Sequence, residues 1–410
     1  MKQKSSLAQL FSLPVIVAAL GYFVDIYDLL LFSIVRIPSL KSLGLNTDEV
    51  SNVGAIIVQW QMFGLLVGGI IWGILGDKKG RLSVLFGSII TYSLANIACG
   101  FVQDPTMYMA LRFIAGIGLA GELGAGITLV SEILPKELRA IAASLVAGIG
   151  LLGAVVAYFS VELFDWRTAY FMGGGLGLAL LLLRVGVIES GMFKNISDQK
   201  HVTRGDFLSL FSNSNRLWRY LKCIGIGLPT WFAIGILLTF SNEIAQALGV
   251  SEEIKPGKSI MWGYVGLSIG DLLSGFISHW LKSRRKVVIL MTTLTVIFSF
   301  ILLFGGVQHA SSVYLLAALI GFSIGYWAMF VTIGAEQFGT NLRATVATTV
   351  PNMVRGSTTL MVFLYNFLKP DAGTINAAAV VGLISFVLAY ISVFTIAETH
   401  GRELNFLEED

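Results

Sequence analysis

The chain has 410 residues, of which 55% are hydrophobic and 13% charged, with a net charge of +3 and a mean hydropathy of +0.78. Because soluble proteins carry about 25% charged residues, this composition excludes an ordinary soluble protein. Apolar runs recur along the chain, each of about 20 residues and so long enough to cross a bilayer as a helix. The run 142–156 lacks the alternation of polar and apolar residues found in membrane β-strands. The sequence therefore predicts an all-α membrane protein.

The apolar runs predict twelve transmembrane helices. Their predicted bounds are 13–36, 50–75, 82–102, 106–130, 140–160, 169–188, 220–246, 259–281, 286–306, 312–335, 344–368 and 375–396. An even number of spans places both termini on one side of the membrane. If that side is the cytoplasm, the cytoplasmic segments and the span ends that adjoin them hold 20 of the 28 lysines and arginines, and the opposite loops hold five. Because cytoplasmic loops are enriched in these residues, we expect both termini to be cytoplasmic.

A polar stretch in the middle of the chain separates six spans from six. We predict an N-terminal half (1–188), a cytoplasmic linker (189–219), a C-terminal half (220–396) and a cytoplasmic tail (397–410). The halves are predicted to be repeats, because the pair Glu132 and Arg139 after the fourth span returns as Glu336 and Arg343, 204 positions later. Transporters built from two such repeats bind their substrate near the membrane midplane, between the repeats.

The loop after the second predicted span contains the motif Gly73-Ile74-Leu75-Gly76-Asp77-Lys78-Lys79-Gly80-Arg81. It resembles the signature G-x-L-[GAS]-D-[RK]-x-G-R, which the major facilitator superfamily carries between spans two and three. Further points of resemblance are Arg112, the segment 132–139 and the segment 398–402. The stretches 21–28 (GYFVDIYD) and 121–126 (GELGAG) are similar to motifs of the metabolite:proton symporter branch of that superfamily. The resemblance implies two six-helix halves that alternate access to a cavity lined in part by spans one and four.

Ionisable residues within the predicted spans are the main functional candidates, because a charge at the bilayer centre is costly unless it faces a cavity or a partner. Asp25 and Asp28 share one face of span one, one turn apart, and Glu122 lies in span four. Two carboxylates this close repel each other, which favours proton uptake by one of them. We therefore interpret the three as proton-coupling candidates. The alternative for Asp28 is that it caps, or pairs with Arg36 or Arg112 in the outer half of the membrane.

Arg355 in span eleven is the main substrate candidate, because a guanidinium stays charged and binds a carboxylate bidentately. It favours an anionic or zwitterionic substrate. The alternative is a structural ion pair with Asp271 in span eight. Polar and aromatic side chains in the spans expected to face the cavity could fix a small ligand, although aromatic residues in membrane helices are more often packing or interface anchors. The predicted substrate residues beside Arg355 are Gln59, Gln61, Trp231, Tyr326, Trp327 and Asn352.

A second set of charges lies mostly at the cytoplasmic ends of the predicted spans. The predicted gating or structural charges are Asp77, Arg81, Arg112, Glu132, Arg139, Asp271, Glu336, Arg343 and Glu398. The resemblance implies that the cytoplasmic members form salt bridges between the halves that close the inside and break when the carrier turns inward. The alternative is that the basic members only set the topology. Glycine-spaced motifs such as Gly64-x-x-x-Gly68 predict close helix contacts instead of a site.

No cofactor, metal or nucleic-acid partner is predicted. The four histidines have no ligand spacing, the basic residues form no single stripe, and the segment 256–259 lacks the first glycine of a nucleotide-binding loop. An enzyme is therefore not expected. The favoured hypothesis is a monomeric, proton-coupled importer of a small carboxylate or amino acid in a bacterial inner membrane. Proton-driven efflux of an organic ion, sodium coupling, and a membrane sensor that binds a metabolite without transporting it stay open.

Overall fold

The computed structural model describes residues 12–79, 81–121, 136–189, 207, 209–400 and 408. Within these residues the chain is helical and has no β-strand. The α-helices are α1 (Leu13–Ser42), α2 (Thr47–Lys79), α3 (Arg81–Cys99), α4 (Pro105–Leu119), α5 (Lys136–Leu163), α6 (Trp166–Glu189), α7 (Ser209–Ser212), α8 (Ser214–Phe232), α9 (Ser241–Ala247), α10 (Pro256–Leu281), α11 (Arg284–Phe304), α12 (Ala310–Ser323), α13 (Trp327–Glu336) and α14 (Thr340–Thr395). A π-helix, Ala233–Leu238, joins α8 to α9.

Every predicted span overlaps at least one of these helices, so the all-α fold class is confirmed. Nine segments of the described chain are long and apolar enough to cross a membrane. The twelve crossings and the cytoplasmic termini stay predictions, and "outer" and "cytoplasmic" below follow that predicted topology. The last two predicted spans lie on α14, which is kinked at Gly373, where φ is 79° and favours glycine.

Two predicted spans are not continuous α-helices. The span 220–246 is interrupted by the π-helix, a feature that often marks functional sites. The span 312–335 is broken at residues 324–326, between α12 and α13. The sequence predicts both as single runs because hydropathy reports the apolar character of a segment and not its hydrogen-bond register.

The surface of the helices is apolar in a way that suits lipid. The side chains of Trp280, Phe276 and Leu360 are 81%, 73% and 71% exposed, whereas Arg112 and Arg355 are buried. A soluble protein rarely leaves so much contiguous apolar surface in water. The exposed apolar residues and buried charges together match a bundle that has lipid outside and a polar interior.

Packing brings the two predicted halves together along two helix pairs. Within the N-terminal half, α1 packs on α5 and α2 on α4, and between the halves α2 packs on α14 and α5 on α10. The contact of α2 with α4 depends on glycine, because a Cβ atom at Gly64 or Gly116 would overlap the backbone of the other helix. The close approach that the glycine spacing predicts is therefore confirmed.

Candidate substrate and proton site

The centre of the contact between the halves is an ion pair. Arg355 on α14 donates through Nη1 to Asp25 Oδ2 on α1 at 3.2 Å, and their side chains are 1% and 0% exposed. Burying a charge is expensive unless it is paired, so each residue stabilises the other. The alternative predicted for Arg355, a pair with Asp271, is wrong, because its carboxylate partner is Asp25, 330 positions away in the other half. Two residues predicted separately for substrate and proton are thus in direct contact.

Two tryptophan rings flank this pair. The guanidinium carbon of Arg355 lies 5.9 Å from the ring centroid of Trp231 and 5.9 Å from that of Trp327. The two rings are 6.5 Å apart in an edge-to-face arrangement. Trp231 comes from the end of α8, just before the π-helix, and Trp327 is the first residue of α13. A cation that faces aromatic rings is stabilised by their quadrupoles, and of the predicted substrate residues these two lie against the Arg355 guanidinium.

Asp271 lies close to this centre but has a different partner. Its Oδ1 accepts a hydrogen bond from the backbone N–H of Ala328 at 2.9 Å, in the first turn of α13. It is thus a cap for a helix start, and its contact explains why the predicted pair with Arg355 does not form. Asp271 was predicted as a gating or structural charge. Its contact with the backbone of Ala328 is structural, and the sequence gives no indication of it.

A second buried charge cluster lies wholly within the N-terminal half. Arg112 on α4 donates to Gln61 Oε1 at 3.2 Å, Asn96 Oδ1 at 2.6 Å and the Asp28 carbonyl at 3.0 Å. Gln61 in turn donates to the Leu29 carbonyl at 2.7 Å. The Asp28 side chain is fully buried beside Asn96 and within electrostatic range of Arg112. Of the alternatives for Asp28, the neighbour is Arg112, whereas Arg36 contacts the other half.

Three predicted substrate residues make contacts away from the guanidinium of Arg355. The Tyr326 hydroxyl donates to the Ile226 carbonyl at 3.0 Å. Asn352 donates to the Ala120 carbonyl at 2.7 Å, across the halves, and lies one turn before Arg355 on α14. The carbonyl of Gln59 accepts from the Thr359 hydroxyl at 3.2 Å, again across the halves. Gln59 and Asn352 therefore join the halves on either side of the Arg355 level, and Gln61 belongs to the Arg112 cluster.

An ion-pair network at the outer ends of the helices was not predicted. Arg36 on α1 donates to Glu243 Oε1 at 3.2 Å, to Asn242 Oδ1 at 3.1 Å and to the Thr239 carbonyl at 3.2 Å. Lys369 donates to Glu243 Oε2 at 2.6 Å. Glu243 could have been recognised from the sequence as a candidate, because it is an acidic residue inside the predicted span 220–246. The network links α1 of one half to the segment 239–243 and Lys369 of the other.

Two of the predicted cytoplasmic charges, Glu336 and Glu398, have partners in their own half. Glu336 pairs with Arg284 at 2.8 Å. Burial raises the pKa of Glu398, but hydrogen bonds from the Ser283 hydroxyl and from the backbone N–H groups of His400 and Arg284 lower it more, and the net pKa is below its usual value. These contacts join α10, α11, α13 and the end of α14.

The predicted cytoplasmic salt bridges between the halves stay a prediction. Arg343 donates to the Phe338 carbonyl at 3.4 Å, within the C-terminal half. Asp77, Arg81 and Arg139 lie on α2, α3 and α5, but their side chains are outside the described part of the structure. Glu122 and Glu132 lie outside the described residues altogether.

Comparison with known proteins decides the family. Residues 18–357, most of the chain, match the Major Facilitator Superfamily. The chain belongs to that superfamily. The predicted resemblance is therefore confirmed, and the chain is a multi-pass membrane transporter and not an enzyme.

Individual relatives are similar over 78–96% of their length. A putative metabolite transport protein of Haemophilus influenzae is 27% identical over 95% of this chain and 96% of the relative. A niacin transporter of Acinetobacter baylyi is 25% identical over 95% of this chain and 94% of the relative. A benzoate transport protein of the same organism is 24% identical over 81% and 78%. The similarity thus extends across both predicted halves.

Proposed function

We propose that the protein imports a small organic acid together with a proton, by alternating access across a bacterial inner membrane and as a monomer. The observation that carries this proposal is the buried ion pair between Asp25 and Arg355, which joins the two halves beside two tryptophan rings. A substrate carboxylate would take the place of Asp25 on the Arg355 guanidinium, which can bind either carboxylate in the same way.

Charge balance at this pair explains how the proton would be coupled. The empty carrier holds one positive and one negative group, which neutralise each other. A proton on Asp25 with a substrate anion on Arg355 gives the same net charge. Substrate alone would leave two carboxylates on one guanidinium, and a proton alone would leave Arg355 without a counter-ion. An uncompensated buried charge costs roughly several kcal/mol. The carrier with only the substrate or only the proton bound would therefore rarely pass through the closed conformation in which this site is buried.

The surroundings of Arg355 favour an aromatic acid. Trp231 and Trp327 present ring faces at the guanidinium, and stacking between rings adds to the burial of an apolar ligand. Niacin and benzoate, the substrates in the names of two relatives, are both aromatic monocarboxylates. This supports a flat carboxylate over an amino acid, whose ammonium group would lie close to the arginine.

The test is uptake into proteoliposomes of radiolabelled benzoate and nicotinate, with and without an inward proton gradient. We expect accumulation only with the gradient, and loss of binding in Arg355→Gln. Arg167→Gln is the matched control, because Arg167 donates to the carbonyls of Gly100 and Val102 near the outer surface and should not affect binding. Accumulation driven by an outward proton gradient would indicate the efflux antiporter instead. Accumulation driven by sodium alone would exclude proton coupling, and binding without flux would indicate a sensor.

A further inference from the structure

The break between α12 and α13 creates a problem of hydrogen bonding inside the bilayer. Residues 324–326 are not helical, so the first N–H groups of α13 have no acceptor in a preceding helical turn. In a hydrocarbon environment an unsatisfied N–H group costs several kcal/mol, roughly. Broken membrane helices therefore persist only where another group supplies the acceptor.

Asp271 on α10 supplies that acceptor. Its Oδ1 accepts a hydrogen bond from the backbone nitrogen of Ala328, the second residue of α13, at 2.9 Å. The two backbones are in direct contact here, because a Cβ atom at Gly325 would overlap Gly270 and the Asp271 nitrogen. The position of the cap is thus set by glycine packing between α10 and the break.

The start of α13, which Asp271 caps, contains Trp327, one of the side chains that line the proposed site. Trp327 is the first residue of α13, and its ring lies against the Arg355 guanidinium at 5.9 Å. The orientation of α13 at its first residue therefore determines where this ring stands relative to the Arg355 guanidinium.

We propose that Asp271 is a positioning residue of the transport site, which acts as the N-cap acceptor of α13 and so holds Trp327 against Arg355. It acts through an oxygen atom that accepts a backbone hydrogen bond. It is neither a counter-ion of Arg355 nor a proton carrier. This inference rests on the proposed function in one respect only, namely that the Trp327 ring contacts the substrate.

The test separates the acceptor from the charge. Asp271→Asn keeps an acceptor oxygen and removes the charge, and Asp271→Ala removes both. We expect Asp271→Ala to weaken benzoate and nicotinate binding about tenfold, which corresponds to about 1.4 kcal/mol, because the uncapped helix start displaces the Trp327 ring. Asp271→Asn should stay within about threefold of the unaltered protein, with an unchanged pH profile of uptake. Equal losses in both variants would overturn the proposal, because the charge would then be what matters.

A matched control separates positioning from general stability. Asp104 caps α4 in the same way, with its side chain accepting from the Met107 nitrogen at 2.9 Å, but in an exposed loop. Asp104→Ala should lower the melting temperature and leave binding unchanged, whereas Asp271→Ala should change both. If Asp271→Ala also lowered only the melting temperature, Asp271 would be a structural cap and nothing more.

A second readout needs no substrate. Near-ultraviolet circular dichroism reports the packing of tryptophan rings, and the contribution of Trp327 is the difference between the unaltered protein and Trp327→Phe. We expect Asp271→Ala to lose that contribution and Asp271→Asn to keep it. If benzoate and nicotinate do not bind at all, the proposed substrate class is wrong. The circular-dichroism comparison of the two Asp271 variants still tests the positioning role, because it needs no substrate. A Trp327 signal unchanged in Asp271→Ala contradicts the positioning role.

Discussion

Two arginines are buried within membrane helices, and they are held in opposite ways. Arg112 donates to three neutral acceptors that all belong to its own half, the side chains of Gln61 and Asn96 and the carbonyl of Asp28. Arg355 pairs with one carboxylate from the other half, Asp25. A movement of the halves relative to each other would keep the contacts of Arg112, which all lie in one half, and would break that of Arg355. The first arrangement stabilises a half, and the second leaves a guanidinium available for an anion.

The largest expected effect is on the arginine held within one half. Arg112→Gln leaves the acceptors on Gln61, Asn96 and Asp28 without their donor, and an unsatisfied buried polar group costs about 1–3 kcal/mol. We expect a loss of about 3 kcal/mol in the free energy of unfolding, measured by thermal or denaturant unfolding in detergent. Arg355→Gln should destabilise less, because a proton on Asp25 can neutralise the carboxylate left behind. Equal destabilisation by the two variants would remove the distinction between them.

Asp25→Asn tests the role of the ion pair between Arg355 and Asp25, which joins the two halves. The variant removes the internal carboxylate that competes with substrate for Arg355, so benzoate should bind about tenfold more tightly in a binding titration. Uphill uptake should be lost, because the neutral amide cannot carry the proton, whereas exchange of labelled for unlabelled substrate should continue. Asp104→Asn is the control, since Asp104 caps α4 in an exposed loop and belongs to neither buried charge cluster. Weaker binding in Asp25→Asn would mean that Asp25 helps to hold the substrate.

Much of this centre could be predicted from the sequence, because an ionisable residue within an apolar run is a rare and strong signal. Asp25 and Arg355 were found in that way, and the tryptophans by their place in the spans expected to line a cavity. The pairing itself could not be predicted. The two residues are 330 positions apart in different halves, and helical periodicity gives only the face of a single helix, not its rotation toward a distant one.

The same limit explains the interpretations that the structure revises. An amide such as Gln61 can face a cavity or form hydrogen bonds with a neighbouring helix. In this structure it donates to the Leu29 carbonyl on α1 and accepts from Arg112. The break before Trp327 lies in an uninterrupted apolar run, where Gly325 was the only local sign. Its cap comes from Asp271, 57 positions earlier on α10. Local composition predicts the elements, and contacts between distant helices determine how their polar groups are used.

The outer network extends the comparison to a third arginine. Arg36 is 1% exposed, and its carboxylate partner Glu243 lies in the other half, so this pair too must break when the outer side opens. Glu243→Gln removes the partner of both Arg36 and Lys369. We expect a shift of about 1–2 kcal/mol toward conformations open on the outer side. Distances between spin labels at the exposed positions Asp48 and Asp371, one in each half, measure that shift. An unchanged distance distribution would show that the network does not hold the outer side closed.

The smallest effect is expected for the other outer ion pair between the halves. Lys255 and Glu162 are 2.9 Å apart, but their side chains are 54% and 36% exposed. Water and salt screen an exposed pair, and ordering two long side chains costs entropy, so such pairs contribute about 0–1 kcal/mol. Lys255→Gln should therefore leave the same spin-label distances unchanged at physiological salt. Both Lys255→Gln and Glu243→Gln remove one charge from a link between the halves. Only Glu243→Gln leaves a buried guanidinium, that of Arg36, without its counter-ion. A Lys255→Gln shift as large as that of Glu243→Gln would show that the number of links, and not the burial of the charge, determines which side is closed.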